Sequence, residues 1–182
     1  MLKTRIHNPI IRSLVEWVIA IGLALLLFLV LRMFVFRVAT VSGDSMLPTL
    51  NDGDRLILNR AAVVFSELRT GDIVAYPYPG DPSEYHIKRV IAVYGDKVDF
   101  IEGRFFVNGQ PLADDFSYAE VWSGGNMHFP LIVEEGHLFV LGDNRNASKD
   151  SRYSTVGTIV SNDIIGRVLV RIWPFDSFGR VE

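Results

Sequence analysis

No cysteine occurs anywhere in the 182 residues. Thiol catalysis, cysteine-ligated zinc and disulfides are therefore excluded, and the redox compartment stays undetermined. Charge of either sign is sparse and nearly balanced at −3, which argues against nucleic acid as a partner. His7, His86, His128 and His137 are the only histidines, and none of their spacings suits a metal. No metal and no other cofactor is expected. Internal repeats and low-complexity tracts are missing too, and the length allows one ordinary domain plus an appendage.

What the chain does have is apolar character concentrated near its N-terminus. From Trp17 to Leu31 there is no charge at all, and after Arg32 the apolar run resumes through Phe36. A helix needs about 20 residues to cross a hydrocarbon layer roughly 30 Å thick. Residues 14–36 supply them, with Glu16 and Arg32 near the two interfaces. A cleavable secretory signal is the alternative, but the run is longer than a typical signal core and no small-x-small site follows closely. The reading is a single-pass anchor in the lipid bilayer of the cell membrane. Lys3, Arg5 and Arg12 precede it, so positions 1–13 are expected to be cytoplasmic and 37–182 extracytoplasmic. Arg32 and Arg37 on the far side weaken that orientation without reversing it.

After the anchor, short runs rich in Val, Ile, Phe and Tyr recur between turn residues, which predicts mostly β structure. Strands are expected at 37–41, 54–58, 72–76, 85–94, 97–101, 104–107, 137–141 and 164–172, with one helical turn at 59–65. Asp52-Gly53, Glu102-Gly103 and Asn108-Gly109 mark tight turns. The spacing suggests a closed or folded-over, barrel-like antiparallel sheet. Residues 96–135 are less regular and rich in aromatics (Phe105, Phe106, Phe116, Tyr118, Trp122, Phe129), and read as a small cap-like excursion. Trp122, Trp173 and Phe175 could meet lipid headgroups, but core packing is the expected fate of each.

The stretch 42–50, Ser-Gly-Asp-Ser-Met-Leu-Pro-Thr-Leu, looks built to hold one hydroxyl in place. Gly43 permits an unusual turn, and Pro48 denies the segment a helix. Ser45 needs a base to take its proton, and Lys88 in Tyr-His-Ile-Lys-Arg-Val-Ile-Ala-Val (85–93) is the candidate. Lysine titrates near 10.4; bringing it to about 7 costs some 4–5 kcal/mol, which burial among apolar side chains can supply. On a strand, His86, Lys88, Val90 and Ala92 share one face. The alternative is a lysine on the surface of an edge strand. A second loop, 142–152, is dense in polar groups and hangs from the apolar run 137–141, where a rigid sheet can present a site.

Segments 42–50, 86–92 and 142–152, in this order behind an apolar anchor, make the chain resemble the bacterial type I signal peptidases, or leader peptidases. The likeness runs from the anchor to about Arg171. It implies a membrane-bound serine endopeptidase with Ser45 as nucleophile and Lys88 as general base, working through an acyl-enzyme. It implies that Ser148 orients the lysine amine and that Met46 helps keep it dry. Arg89 with Asp143 would form a structural ion pair, and Asp150 with Arg152 would stiffen the loop. Some members carry a serine at the position of Gly43, assisting the oxyanion hole; with glycine the hole relies on backbone N–H groups, chiefly that of Ser45. The implied substrates are exported preproteins cut after a small-x-small motif, near the protein-export machinery. Ser45 lies nine residues beyond Phe36, a reach of about 30 Å at full extension, so the nucleophile stays close to the bilayer.

Three rivals remain at this stage. A Ser–His–Asp hydrolase would use His86 as base. A self-cleaving repressor would share the Ser/Lys chemistry but needs a helix-turn-helix where the anchor stands. A membrane-tethered β-domain that binds a partner would do without Ser45. Asn146-Ala147-Ser148 also fits a glycosylation sequon, a common chance pattern.

Overall fold

The computed structural model describes residues 9–112 and 121–181. Lys3, Arg5 and the rest of 1–8, together with Phe116 and Tyr118, lie outside the described residues, as does the side chain of Arg32. The chain divides into two compact units, Met1–Val35 and Phe36–Glu182. In the first, α1 (Pro9–Val35) is the expected long helix. Its stretch Ile10–Leu29 is apolar and long enough to cross a membrane, with its side chains exposed. Glu16, the one acid in that stretch, is paired one turn back with Arg12 at 2.9 Å.

The second unit is built on antiparallel strands: β1 (Phe36–Thr40), β2 (Arg55–Asn59), β3 (Ile73–Tyr78), β4 (Asp81–Ala92), β5 (Lys97–Ile101), β6 (Arg104–Val107), β7 (Gln110–Pro111), β8 (Leu131–Ile132), β9 (His137–Leu141), β10 (Ile159–Val160), β11 (Gly166–Trp173) and β12 (Gly179–Arg180). A short helix, α2 (Ala61–Phe65), replaces strand where the apolar run Ala-Ala-Val-Val-Phe follows β2. The main sheet runs β1-β2-β11-β3-β4-β9-β10, with β12 added to β11. Its two ends are not paired to each other among the described residues, so the sheet is folded over but not closed. The second sheet, β7-β6-β5-β8, occupies the expected excursion. Glu102-Gly103 and Asn108-Gly109 make the two-residue hairpin turns there, all four residues at positive φ.

Alternation along the strands puts one row of side chains into each of three cores. Val41, Met46, Leu50, Leu56, Leu58, Ile73 and Ile87 pack together on one face of the main sheet. Val74, Tyr76, Val90, Leu138 and Val140 fill another cluster with Val156, Ile159 and Ile164. The excursion buries Val98, Phe105 and Val121 against Ile91, Phe139 and Leu141. The expectation that Trp122, Trp173 and Phe175 pack in cores fails: they are 81%, 46% and 76% exposed. Trp173 ends β11 and Phe175 lies two residues beyond it, where the period-two alternation no longer aims a side chain inward, while Trp122 lies in an irregular segment outside any strand.

Candidate active site

Three loops and strands converge on Ser45. The loop between β1 and β2 turns at Gly43, whose φ of +81° favours glycine, and the Asp52 carboxylate accepts the Gly43 N–H at 2.8 Å. Met46 and Leu50 are fully buried one and five residues after Ser45, so core packing pins the loop and leaves the hydroxyl at the rim. The Leu50 N–H closes the turn on the Met46 carbonyl at 2.9 Å.

Lys88 lies on β4 directly opposite Val74 of β3 and is only 3% exposed. Its Nζ is 2.7 Å from Ser45 Oγ and 3.0 Å from the Ile87 carbonyl oxygen. Burial pulls its pKa down from 10.5 to about 8; the carboxylates of Asp150 and Asp143 oppose the fall, and Arg152 assists it. An amine so placed is largely deprotonated at mildly alkaline pH and can accept the serine proton.

The surrounding charges hold this geometry. Arg89, the residue after the lysine, points to the other face of β4 and grips Asp143 through two bonds of 2.9 and 2.8 Å, both side chains buried. Thr49 Oγ1 donates to the same carboxylate at 2.5 Å, and Asn144 donates its backbone N–H to the Ser45 carbonyl at 3.1 Å. The nucleophile loop, β4 and the loop after β9 are thereby stitched together. Asp150 and Arg152 form a second buried pair at 2.7 Å. Asp150 also accepts the Gly142 N–H, while Arg152 donates to the carbonyls of Arg145 and Ser148.

Ser148 is buried and its Oγ has no hydrogen-bond partner among the described residues; the second contact of the lysine amine is the Ile87 carbonyl. A Cβ on Gly142 would lie 2.2 Å from Ser148 Oγ and 2.4 Å from the Ser45 carbonyl oxygen. Only a glycine lets these two loops approach so closely. His86 stacks on Tyr78, with centroids 4.5 Å apart. Burial, then the charges of Lys88 and Lys149, lower its pKa to about 4. The group in contact with Ser45 Oγ is thus the lysine and not His86.

Sequence reasoning missed one strap. Residues 121–127, after the second sheet, are laced to the loop that follows β9. Trp122 N–H donates to Asn146 Oδ1 at 3.1 Å, and Arg152 Nη1 donates to the Ser123 carbonyl at 3.2 Å. The Asn126 and Met127 N–H groups both donate to the Arg152 carbonyl at 3.0 Å, and Asn126 pairs reciprocally with Ser154. Nothing periodic marks such contacts between segments some 25 residues apart. The Ser-Gly-Gly-Asn run was the available signal, since backbone lies close to backbone at Gly125.

The reacting pair opens into a cavity of about 240 Å³ lined by Val41, Gly43, Ser45, Met46, Ile87, Lys88, Ala147 and Lys149 among others. A neighbouring cavity of about 260 Å³ lies between Arg37–Thr40 of β1 and Tyr85 and Ile87 of β4, with Leu58 and Ala75 in its wall. Tyr85 and Ile87 border both. A larger cavity of about 610 Å³, between α2 and the start of β9, contains none of the expected site residues. Among the described residues no cluster of His, Asp and Glu could hold a metal ion.

Residues 14–173 match the family model described as signal peptidase, peptidase S26. Signal peptidase IB of Staphylococcus aureus is 31% identical, covering 92% of this chain and 93% of the relative. Signal peptidase I of Leptolyngbya laminosa is 37% identical over 92% of this chain and 84% of the relative. A crystal structure of a signal peptidase I from Enterococcus faecalis aligns with 56% of this chain and 97% of that one, at 28% identity and a TM-score of 0.48.

Proposed function

Because the chain belongs to the peptidase S26 family of signal peptidases, enzymes that remove signal peptides from preproteins, we propose that it does so with Ser45 as nucleophile and Lys88 as general base. The observation that carries this reading is the 2.7 Å contact between Lys88 Nζ and Ser45 Oγ, made by a lysine that is 3% exposed. With the amine neutral, the serine O–H donates along this contact. As Oγ bonds to the scissile carbonyl carbon, the proton passes to Nζ, and the Ser45 backbone N–H faces the developing oxyanion. Collapse breaks the C–N bond, and the Lys88 ammonium gives its proton to the leaving amine. Water, deprotonated by the same amine, then attacks the ester and releases Ser45.

Substrate recognition follows from the two unpaired edges. β1 is the terminal strand of the main sheet, and residues 81–88 of β4 have β3 on one side only among the described residues. An extended peptide between them would gain main-chain hydrogen bonds from both. Alternate side chains of that peptide, about 7 Å apart on one face, fall into the two adjacent small cavities. Those two cavities would take the two small side chains of a small-x-small motif.

Residues 14–36 serve as the membrane anchor between a cytoplasmic segment 1–13 and the extracytoplasmic catalytic unit 37–182, with 96–135 as its cap. Arg12 before the span is consistent with this orientation. Substrates then arrive from the export machinery at the bilayer surface. The test is cleavage of a purified preprotein by the intact chain in detergent. Ser45→Ala and Lys88→Ala should each abolish it by a factor on the order of 10⁴ or more, and retained activity in either would refute the assignment.

A further inference from the structure

We propose that Trp122 forms part of a subsite for the mature segment of the preprotein, the residues that follow the cut. The inference rests on the peptidase reading above, which leaves that side of the bond unassigned. If the small side chains before the cut occupy the two cavities bordered by Tyr85 and Ile87, the chain after the cut must leave the catalytic cavity at its other wall. Ala147 and Lys149 line the catalytic cavity without bordering the second one, as do Gly43 and Asp44 of the loop before Ser45, and the exit is assigned to the Ala147 side.

Asn146, next to Ala147, holds the Trp122 backbone N–H at 3.1 Å. The strap around Trp122 is fixed further by the bond from Arg152 to the Ser123 carbonyl. Trp122 is therefore held through its backbone to the residue next to Ala147, which lines the catalytic cavity, while its side chain is 81% exposed. Its neighbour Val121 is buried in the core of the excursion, so packing has claimed that position and not Trp122. An indole offers a broad flat apolar surface and one N–H donor at little entropic cost, which suits an extended peptide of varied sequence. The ligand class is thus the first few residues of the mature chain in extended form.

The test uses the full chain in detergent and two synthetic peptides with the same residues before the cut. One continues for eight residues beyond it, and the other ends in a single glycine amide. Cleavage is followed by chromatography and mass spectrometry. Trp122→Ala should lower kcat/KM for the long peptide by roughly tenfold, the scale of one aromatic contact, with the short peptide changing less than about twofold. Trp122→Phe should recover most of the loss. An equal loss with both peptides would overturn the proposal in favour of a loop-positioning or lipid-contact role. No loss with either would overturn it outright. If the unsubstituted chain cleaved neither peptide, the peptidase reading itself would fall.

Discussion

Replacing Lys88 by methionine should remove the activity and yet stabilise the fold at neutral pH. A lysine that titrates at 10.5 in the unfolded chain and at about 8 when folded is a liability below pH 8, because the folded state must keep a buried ammonium. A gap of that size is worth about 3 kcal/mol. Methionine also deprives the Ile87 carbonyl of its amine partner, an unsatisfied acceptor costing about 1–2 kcal/mol. The net gain is then about 1–2 kcal/mol at pH 7, or a rise in Tm of roughly 3–6 °C for a domain of this size. The sign follows from proton counting. Between pH 8 and 10.5 the unfolded wild-type chain binds the proton that the folded one has lost, so wild-type stability climbs with pH relative to the variant. The advantage of Lys88→Met should vanish near pH 9 and become a deficit of about 1–2 kcal/mol by pH 10.5, constant above it. Thermal unfolding of the full chain in detergent, followed by near-ultraviolet circular dichroism at several pH values, measures this difference. A variant less stable than wild type at pH 7, or a difference that does not change between pH 8 and 10.5, would refute the account of a desolvated amine.

Two further outcomes follow from the site. The kcat/KM for a preprotein should rise about tenfold per pH unit up to about 8 and then level off, and His86→Ala should leave this profile in place, since that imidazole titrates near 4. A profile whose inflection disappears with His86 would restore the histidine as base. Gly125→Ala should lower both Tm and kcat, because the new Cβ would fall 2.1 Å from the Arg152 carbonyl oxygen at a φ of +81°. A cost of about 1–3 kcal/mol is expected, and an unchanged Tm would show that the strap yields freely.

The residues proposed to react were legible in the sequence because their requirements are local. A glycine turn, a proline and an inserted apolar Met46 describe the loop around Ser45, and alternation on β4 already set Lys88 apart from Arg89. The main strands were legible for the same reason, since β2, β5, β6 and β9 each carry a run of apolar residues that alternation can read. The very short strands β7, β8, β10 and β12 could not be read, as two residues have no period. The fates of Trp122 and Trp173 were misjudged because aromatic character says nothing of which way the backbone turns at a strand end, as at Trp173, or in an irregular segment, as at Trp122. Motif likeness alone assigned the Ser148 hydroxyl to the lysine amine; nothing local in the sequence could show that glycine at 142 is what lets Ser148 and the Ser45 carbonyl both come so close to it.

The bare margins of β1 and β4 decide how choosy the molecule can be. Peptide groups are the same in every protein, so a slot that grips chiefly the main chain is indifferent to most of what passes through it. On the proposed reading, the two cavities beside the site then do all the selecting, and a small-x-small motif asks only that two residues be small. One copy of such a scaffold can serve a whole secretome of unrelated clients, and extended backbone mimics should jam it more readily than side-chain decoys.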